Sequence, residues 1–304
     1  MNRYPRLVVS LIVALVASAG WAQDPASGST VSVYRSANDL FRSIAATEMT
    51  AAEASPKHLF RSLKRGAQGS QTRLYVETRD ALAAMTIAYN DQPLNAQQVQ
   101  DEENHLNYLM RDGAALRAKH AREKDDNDRT RRVIKAMPDA FLYEYDGTVA
   151  GTTETGRVGG MLTRLTFHPN PAYSAPTRIE SFLAGMQGYV LLDTEQRRIA
   201  RIDATLFKDV SFGWGFIGHL DKGGNLMINQ SVLDDGSWAL NHLRLKFTGK
   251  ILLVKSLNVD SDEILDNFKP VSTDTTFAQG VELLKLEHTR LLAPPSPAAT
   301  PSSH

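Results

Sequence analysis

Cysteine is absent from the 304 residues of this chain, which excludes disulfides, thiolate zinc sites, iron–sulfur clusters and cysteine nucleophiles. An excess of charge of one sign is also absent, because 34 basic side chains balance 34 acidic ones. Domains that bind nucleic acid carry a basic excess, so we predict no nucleic-acid partner. The 20 glycines, 13 prolines and 42% hydrophobic content exclude collagen-like and globally disordered chains and leave a globular protein of one or two domains.

The only long apolar run of the sequence lies near its N-terminus. Two arginines precede the apolar stretch Leu7–Ala19, and the small-x-small tripeptide Gly20 to Ala22 follows it. This is the layout of a secretory signal peptide, whereas a membrane-spanning helix needs about 20 apolar residues. We therefore predict a signal peptide over residues 1–22, a periplasmic mature protein and no transmembrane segment after processing.

The composition of the remaining chain predicts one domain with flexible ends. Small polar residues dominate 23–33, which we expect to be a flexible lead-in, and the Pro- and Ser-rich residues 293–304 are typical of a disordered tail. Residues 34–292 then form a single domain. Within it, a charged helical insertion is expected at about 95–135, with Asn95 as the N-cap of its first helix.

Short strands separated by Gly and Asp turns dominate the second half and indicate an antiparallel sheet of hairpins. The expected strands include Phe212–Leu220, Trp238–Phe247 and Ile251–Val259, the last two joined by a turn at 248–250. Apolar and polar residues alternate along Ala200–Leu206 and His242–Phe247, so one sheet face is apolar and the other faces water. Helices near Phe41, Val99 and Phe182 are the candidates to cover the apolar face, and short covering helices leave an apolar hollow. The fold class is α+β, a curved antiparallel sheet with its apolar face covered by short helices.

A glycine-rich segment supplies the candidate binding residues. Gly213 to Gly218 matches the GxGxxG dinucleotide pattern, but that chemistry requires a helix directly after the turn, and here a turn and another strand follow. The segment is better explained as a strand with Phe212, Trp214 and Phe216 on one face. These three aromatic residues either pack ordinarily or line a site for a hydrophobic ligand.

Other sequence motifs lack the additional residues that a metal site or a catalytic site requires. Glu102 to His105 contains one Glu-x-x-His, but a di-iron site needs a second copy. Asp260 and Asp262 resemble a calcium loop, but the required glycine and closing glutamate are missing. No HExxH, GxSxG or P-loop sequence occurs. We therefore predict no catalytic residue, no metal site, no cofactor and no enzymatic activity, with a spatially assembled hydrolase site as a less favoured alternative.

Several turn and strand motifs together resemble a known family of exported bacterial proteins. The motifs are His168-Pro169-Asn170-Pro171, Gly188 to Asp193, Ile199-Ala200-Arg201-Ile202, Lys222-Gly223-Gly224, Gly236-Ser237-Trp238, Pro93-Leu94-Asn95 and Asp266-Asn267-Phe268. In this order they resemble proteins with the lipoprotein-carrier (LolA-like) fold, and more narrowly an uncharacterised group within it. The resemblance implies a half-open β-barrel with helices as a lid and an apolar cavity for acyl chains. Its relatives include lipoprotein chaperones, envelope lipid binders and a stress sensor.

Two functions follow as hypotheses. The first is a non-enzymatic periplasmic binding or carrier protein for a lipid, a lipoprotein acyl chain or another hydrophobic ligand. The second is an envelope interaction or sensor domain that works through a protein partner, with the charged helix as the docking surface. The identity of the ligand, the partner and the oligomeric state lie beyond the sequence.

Overall fold

A computed structural model describes residues 36–51, 56–177, 180–212, 218–251 and 255–293. The predicted signal peptide, the lead-in and the tail from residue 294 onward lie outside the described residues. The helices are α1 (Ala37–Ala51), α2 (Ala96–Arg111), α3 (Gly113–Ala140), α4 (Phe277–Leu292) and a 3-10 helix (Glu180–Gly185). The strands are β1 (Lys57–Gly66), β2 (Gly69–Val76), β3 (Ala83–Tyr89), β4 (Gln92–Pro93), β5 (Phe141–Ala150), β6 (Met161–Pro169), β7 (Met186–Asp193), β8 (Arg198–Leu206), β9 (Val210–Phe212), β10 (Gly218–Leu220), β11 (Asn225–Val232), β12 (Trp238–Ile251) and β13 (Lys255–Val271).

All thirteen strands belong to one antiparallel sheet. The strand order is β4-β3-β2-β1-β13-β12-β11-β8-β7-β6-β5, and the short strands β9 and β10 pair with each other beside β12. The two outermost strands, β4 and β5, do not pair with each other, so the sheet is open. The predicted α+β class with an open antiparallel sheet is confirmed.

The burial pattern divides the sheet into two regions. In β12 and over 202–206 of β8 the predicted alternation is confirmed, since Ile202, Ala204 and Leu206 are buried while Thr205 reaches the surface. Ala200 departs from the prediction, because it lies at a register shift and packs in a separate cluster with Leu162, Leu191 and Trp238. The first strands differ, because Leu59 and Phe60 are neighbours in β1 yet pack in separate clusters. Adjacent strand residues point to opposite faces, so this end of the sheet is apolar on both faces.

Separate helices cover these two faces. We call the face that packs against α1 the inner face. Its core contains Phe41 and Ile44 of α1, Met137 of α3 and Leu183 of the 3-10 helix. On the outer face, the cluster at the β1–β3 end includes the following residues of α2 and α4: Leu106, Leu109, Val281 and Leu284. Two of the predicted covering positions, Phe41 and Phe182, belong to the inner core, whereas Val99 packs against the outer cluster.

The predicted charged insertion is a pair of helices that connects the two edges of the sheet. Asn95 caps α2 as expected, through a capping box with Gln98. Helix α3 then extends over 28 residues, about 42 Å at 1.5 Å per residue. Its C-terminal end packs on α1 and leads directly into β5, the edge strand opposite β4. The charged segment therefore connects the two edges of an open sheet. The middle of α3 is a solvated helix.

Several predicted boundaries are wrong. The two ends of the expected strand Phe212–Leu220 lie in different strands, β9 and β10, which pair antiparallel with each other, so the segment is not one continuous strand. The expected turn at 248–250 lies inside β12, which continues to Ile251, while β13 extends to Val271. Gly249 permits this because a Cβ there would lie 2.1 Å from the His219 carbonyl oxygen of β10, a close approach that only glycine allows. The helix expected near Phe182 is a single 3-10 segment.

A buried ion pair fixes α1 to the sheet. Glu48 accepts two hydrogen bonds from the Arg198 guanidinium, both 2.9 Å long, and a third of 3.0 Å from the Gln230 amide. Both charged side chains are only 6% exposed. Because each carboxylate oxygen has partners, the pair satisfies the condition under which a buried charge is tolerated.

We predict that Arg198→Met lowers the free energy of unfolding by about 3–5 kcal/mol, since it leaves the Glu48 carboxylate buried without its counter-ion. The measurement is urea unfolding followed by circular dichroism. The matched control is Arg42→Met, which removes an α1 ion pair with Asp139 whose side chains are 53% and 60% exposed and which should cost less than about 1 kcal/mol. Equal losses in the two variants would contradict the assigned role of Arg198.

Candidate functional site

Three aromatic rings on neighbouring strands form a strip on the inner face, at the border of the core. Phe60 of β1 stacks on Tyr75 of β2 at 5.2 Å between ring centroids, and on Phe268 of β13 at 5.3 Å. Phe60 is 1% exposed, whereas Tyr75 and Phe268 are only half-buried. We call these three residues the aromatic strip. It presents partly accessible apolar surface beside a closed core.

Strand register and a bulge produce this alignment. Phe60 lies directly opposite Tyr75 in the β1–β2 ladder. On its other side the β1–β13 register shifts between Leu59 and Arg61, and Asn267 adopts a φ of 55°. Asparagine tolerates this left-handed conformation better than most residues. The extra residue in β13 brings the Phe268 ring against Phe60.

Polar side chains continue the inner face beyond the strip. The Arg73 guanidinium lies 5.7 Å from the centroid of the Tyr75 ring, within the range of a cation–π contact. The Ser62 hydroxyl donates a 2.5 Å hydrogen bond to Glu263 Oε1. Burial raises the pKa of the Tyr75 phenol, so that group stays neutral and can donate a hydrogen bond at neutral pH. The surface is thus apolar at one end and polar at the other.

The remainder of the inner face beneath α1 is filled by the protein's own side chains. Phe41, Ile44, Leu165, Val190 and Leu206 are all 0% exposed. A side chain with no accessible surface adjoins no space large enough for water. The expectation of an apolar hollow is therefore wrong for this part of the face, because α1 inserts large side chains that were predicted only to cover it.

The predicted ligand-lining residues remain a prediction. Phe212 is the last residue of β9, and its side chain is not among the described ones; Trp214 and Phe216 lie outside the described residues. The aromatic strip was not predicted from the sequence. Alternation within β1 and β2 could have placed Phe60 and Tyr75 on one face, but no local signal indicates that β13 lies beside them.

A second polar cluster surrounds the buried His58. Its Nε2 lies 2.8 Å from Asp235 Oδ2 and 3.4 Å from the Ser237 hydroxyl, and its Nδ1 lies 3.7 Å from Glu77 Oε2. These side chains are of the same types as those of a catalytic Ser–His–acid triad. In such a triad the hydroxyl must be free to attack and the histidine must be free to accept its proton.

The hydrogen bonds of this cluster indicate a structural role, because Asp235 occupies both the serine hydroxyl and the histidine nitrogen. The Ser237 hydroxyl is fully buried and donates to Asp235 Oδ1 at 2.6 Å, and Asp235 Oδ2 is bonded to the histidine nitrogen that would act as base. Burial alone would lower the pKa of His58, but its hydrogen bonds to Glu77 and Asp235 outweigh burial and raise it. The cluster therefore favours the protonated form of His58, while burial raises the pKa of the Glu77 carboxyl beside it. Its side chains join β1, the end of β2 and the β11–β12 turn.

Within the described ranges no helix is both long and apolar enough to cross a membrane. Over the same part of the chain, His, Asp and Glu side chains nowhere gather in groups of three or more that could hold a metal ion. The aromatic strip and its polar neighbours are the candidate site because apolar ring surface remains partly accessible there.

Comparison with known proteins adds little to this description. No family model matches the chain, and no curated protein matches it. Among solved structures, the chain is similar to a DUF1329 family protein from Desulfovibrio piger, at 10% sequence identity over 80% of this chain and 97% of that one, with a TM-score of 0.28.

The His58 cluster predicts a characteristic pH dependence of stability. The raised folded-state pKa of His58 means that its contribution is complete below the ordinary value of 6.5 and is lost as the pH rises through the folded-state pKa. Asp235 acts oppositely: burial would raise its pKa, but the Ser237 and His58 hydrogen bonds lower it below 3.8. Its contribution is lost only as the pH falls through that lowered value.

We therefore expect the stability difference between the wild type and His58→Gln to be largest near pH 5–6 and to shrink towards pH 9. The measurement is urea unfolding at a series of pH values. His242→Gln serves as the control, since its ring is 31% exposed beside Asp262 on the outer face and should contribute less. A difference that stays constant from pH 5.5 to pH 9 would contradict a charged His58.

Proposed function

We propose that this protein is an exported, non-enzymatic binding protein for a hydrophobic ligand of the lipid class, acting in the periplasm. The observation that carries the proposal is the aromatic strip: Tyr75 and Phe268 flank a buried Phe60 on the inner face and remain half-buried themselves. Partly covered apolar surface on a concave element is the usual setting of ligand sites. The signal-peptide pattern supports export.

The energetics suit an acyl chain. Each buried methylene contributes about 0.8 kcal/mol, so a chain of about 14–16 carbons offers about 11–13 kcal/mol when it is fully buried. Micromolar affinity corresponds to 8.2 kcal/mol, and association itself costs several kcal/mol. Capture of this strength therefore requires most of the chain to be shielded from water.

A second candidate function is an interaction or sensor domain of the cell envelope. The observation that favours it is the filled core beneath α1 together with the exposed middle of α3, where Lys119–Glu123 and Lys124–Asp128 form ion pairs along the helix surface. In that case the exposed middle of α3 would bind a protein partner. A periplasmic hydrolase is not favoured, because the Ser–His–acid cluster around His58 is buried and its Ser237 hydroxyl is hydrogen-bonded to Asp235.

The test is a fluorescence titration with N-phenyl-1-naphthylamine, a neutral apolar probe. We expect saturable binding by the wild type and at least tenfold weaker binding by Phe268→Ser, which removes half-buried ring surface from the strip. The matched control is Ile264→Ser, on the same strand but on the outer face and 38% exposed, which should change affinity less than twofold. Circular dichroism of both variants verifies folding.

Two outcomes would count against lipid binding. The first is absence of probe binding by the folded wild type, which would favour the interaction domain. The second is equal binding by the wild type and Phe268→Ser, which would place any apolar site elsewhere on the molecule.

A further inference from the structure

Arg73 differs from the other partly buried arginines of the described chain. In four arginines the Nε atom is buried without a hydrogen-bond partner: Arg73, Arg157, Arg164 and Arg201. Three of these have a carboxylate within ion-pair distance: Arg157 with Glu195, Arg164 with Asp146, and Arg201 with Asp203. Arg73 forms no such ion pair with any residue that the structure describes. A buried donor without a partner is costly, so this guanidinium is the one best placed to gain from an external anion.

The location of Arg73 connects it to the aromatic strip. It lies opposite Ser62 on β1, and Ser62 in turn lies opposite Leu265 of the inner core. Arg73 therefore points to the inner face, two residues from Tyr75 on the same strand. Its guanidinium is 5.7 Å from the Tyr75 ring, which places a positive charge at the end of the strip.

The surrounding charges leave this region positive. Lys64 occupies the next inner-face position of β1 and lies opposite Glu263, yet their charged atoms are not within ion-pair distance, and Glu263 instead accepts the Ser62 hydroxyl. Arg73 and Lys64 against Glu263 give two positive charges and one negative. An anionic group here would meet a net positive field in a partly desolvated site, where charge–charge interactions are stronger than in water.

We propose that Arg73 binds the anionic head group of an amphiphile whose apolar chain lies on the aromatic strip. The inference rests on the proposed lipid-binding function and specifies its ligand as a single-chain lipid with a carboxylate or phosphate head. The planar guanidinium presents paired N–H donors that match both oxyanions. The strip selects the chain and Arg73 selects the head.

The experiment measures displacement of N-phenyl-1-naphthylamine by three competitors with the same sixteen-carbon chain, the anions below their critical micelle concentrations and the alcohol below its solubility limit. The competitors are palmitate, monohexadecyl phosphate and the neutral 1-hexadecanol. The wild type should bind at least one anionic competitor about tenfold or more tightly than hexadecanol, as a charge-assisted hydrogen bond to a partly buried group provides. The tighter of palmitate and monohexadecyl phosphate identifies the head group.

Variants then assign the preference to Arg73. We expect Arg73→Gln to abolish the preference while leaving hexadecanol affinity within twofold, and Arg73→Lys to retain part of it. Arg244→Gln is the matched control, because Arg244 is an exposed arginine on the outer face of β12, and it should behave as the wild type. These comparisons are made at fixed ionic strength, since screening weakens exposed charges more than buried ones.

The outcomes separate the two proposals. If the wild type binds hexadecanol as tightly as the anions, or if Arg73→Gln keeps the preference, the head-group assignment is wrong and lipid binding stands. If none of the three competitors binds the folded protein, lipid binding itself is wrong and the assignment of Arg73 is overturned with it.

Discussion

The pairing of β1 with β13 determines the geometry of the candidate site. It joins strands from the two ends of the domain along a ladder from Lys57–Val271 to Gly66–Ser261. Side-chain hydrogen bonds support the ladder on both faces of the sheet. Arg61 and Asp266 form a bidentate pair on the outer face, and Ser62 donates to Glu263 on the inner face. Without this ladder Phe268 would not meet Phe60, and neither the aromatic strip nor the positive region beside it would exist.

An open sheet must cover its apolar surface with other elements, and here the cover is uneven. The Glu48–Arg198 ion pair holds helix α1 over the β5–β8 region. The Asn38 side chain adds two hydrogen bonds to the edge strand β5, donating to the Phe141 carbonyl and accepting from the Tyr143 amide. The first strands instead have α2 and α4 on their outer face. The aromatic strip lies on the inner side of these first strands, where cover is incomplete, and this difference makes it the candidate site.

Local sequence signals predicted much of the fold and little of the site. Alternation and turn residues identified β8, β12 and part of β13, and Asn95 marked a helix start, because these features act over a few residues. Helix α4 went unpredicted although Thr276 and Gln279 form a capping box, and the β1–β13 register could not be predicted because no short-range pattern specifies it. The site consists of side chains from strands far apart in sequence, so its existence follows only from the pairing.

Native mass spectrometry of the purified protein measures directly whether the folded chain holds a lipid on its inner face. We expect a species heavier than the polypeptide by the mass of one single-chain lipid, recoverable by extraction with organic solvent and absent from Phe268→Ser. A lipid-free wild type that also fails to take up added palmitate, monohexadecyl phosphate or hexadecanol would overturn the proposal that the protein binds lipid.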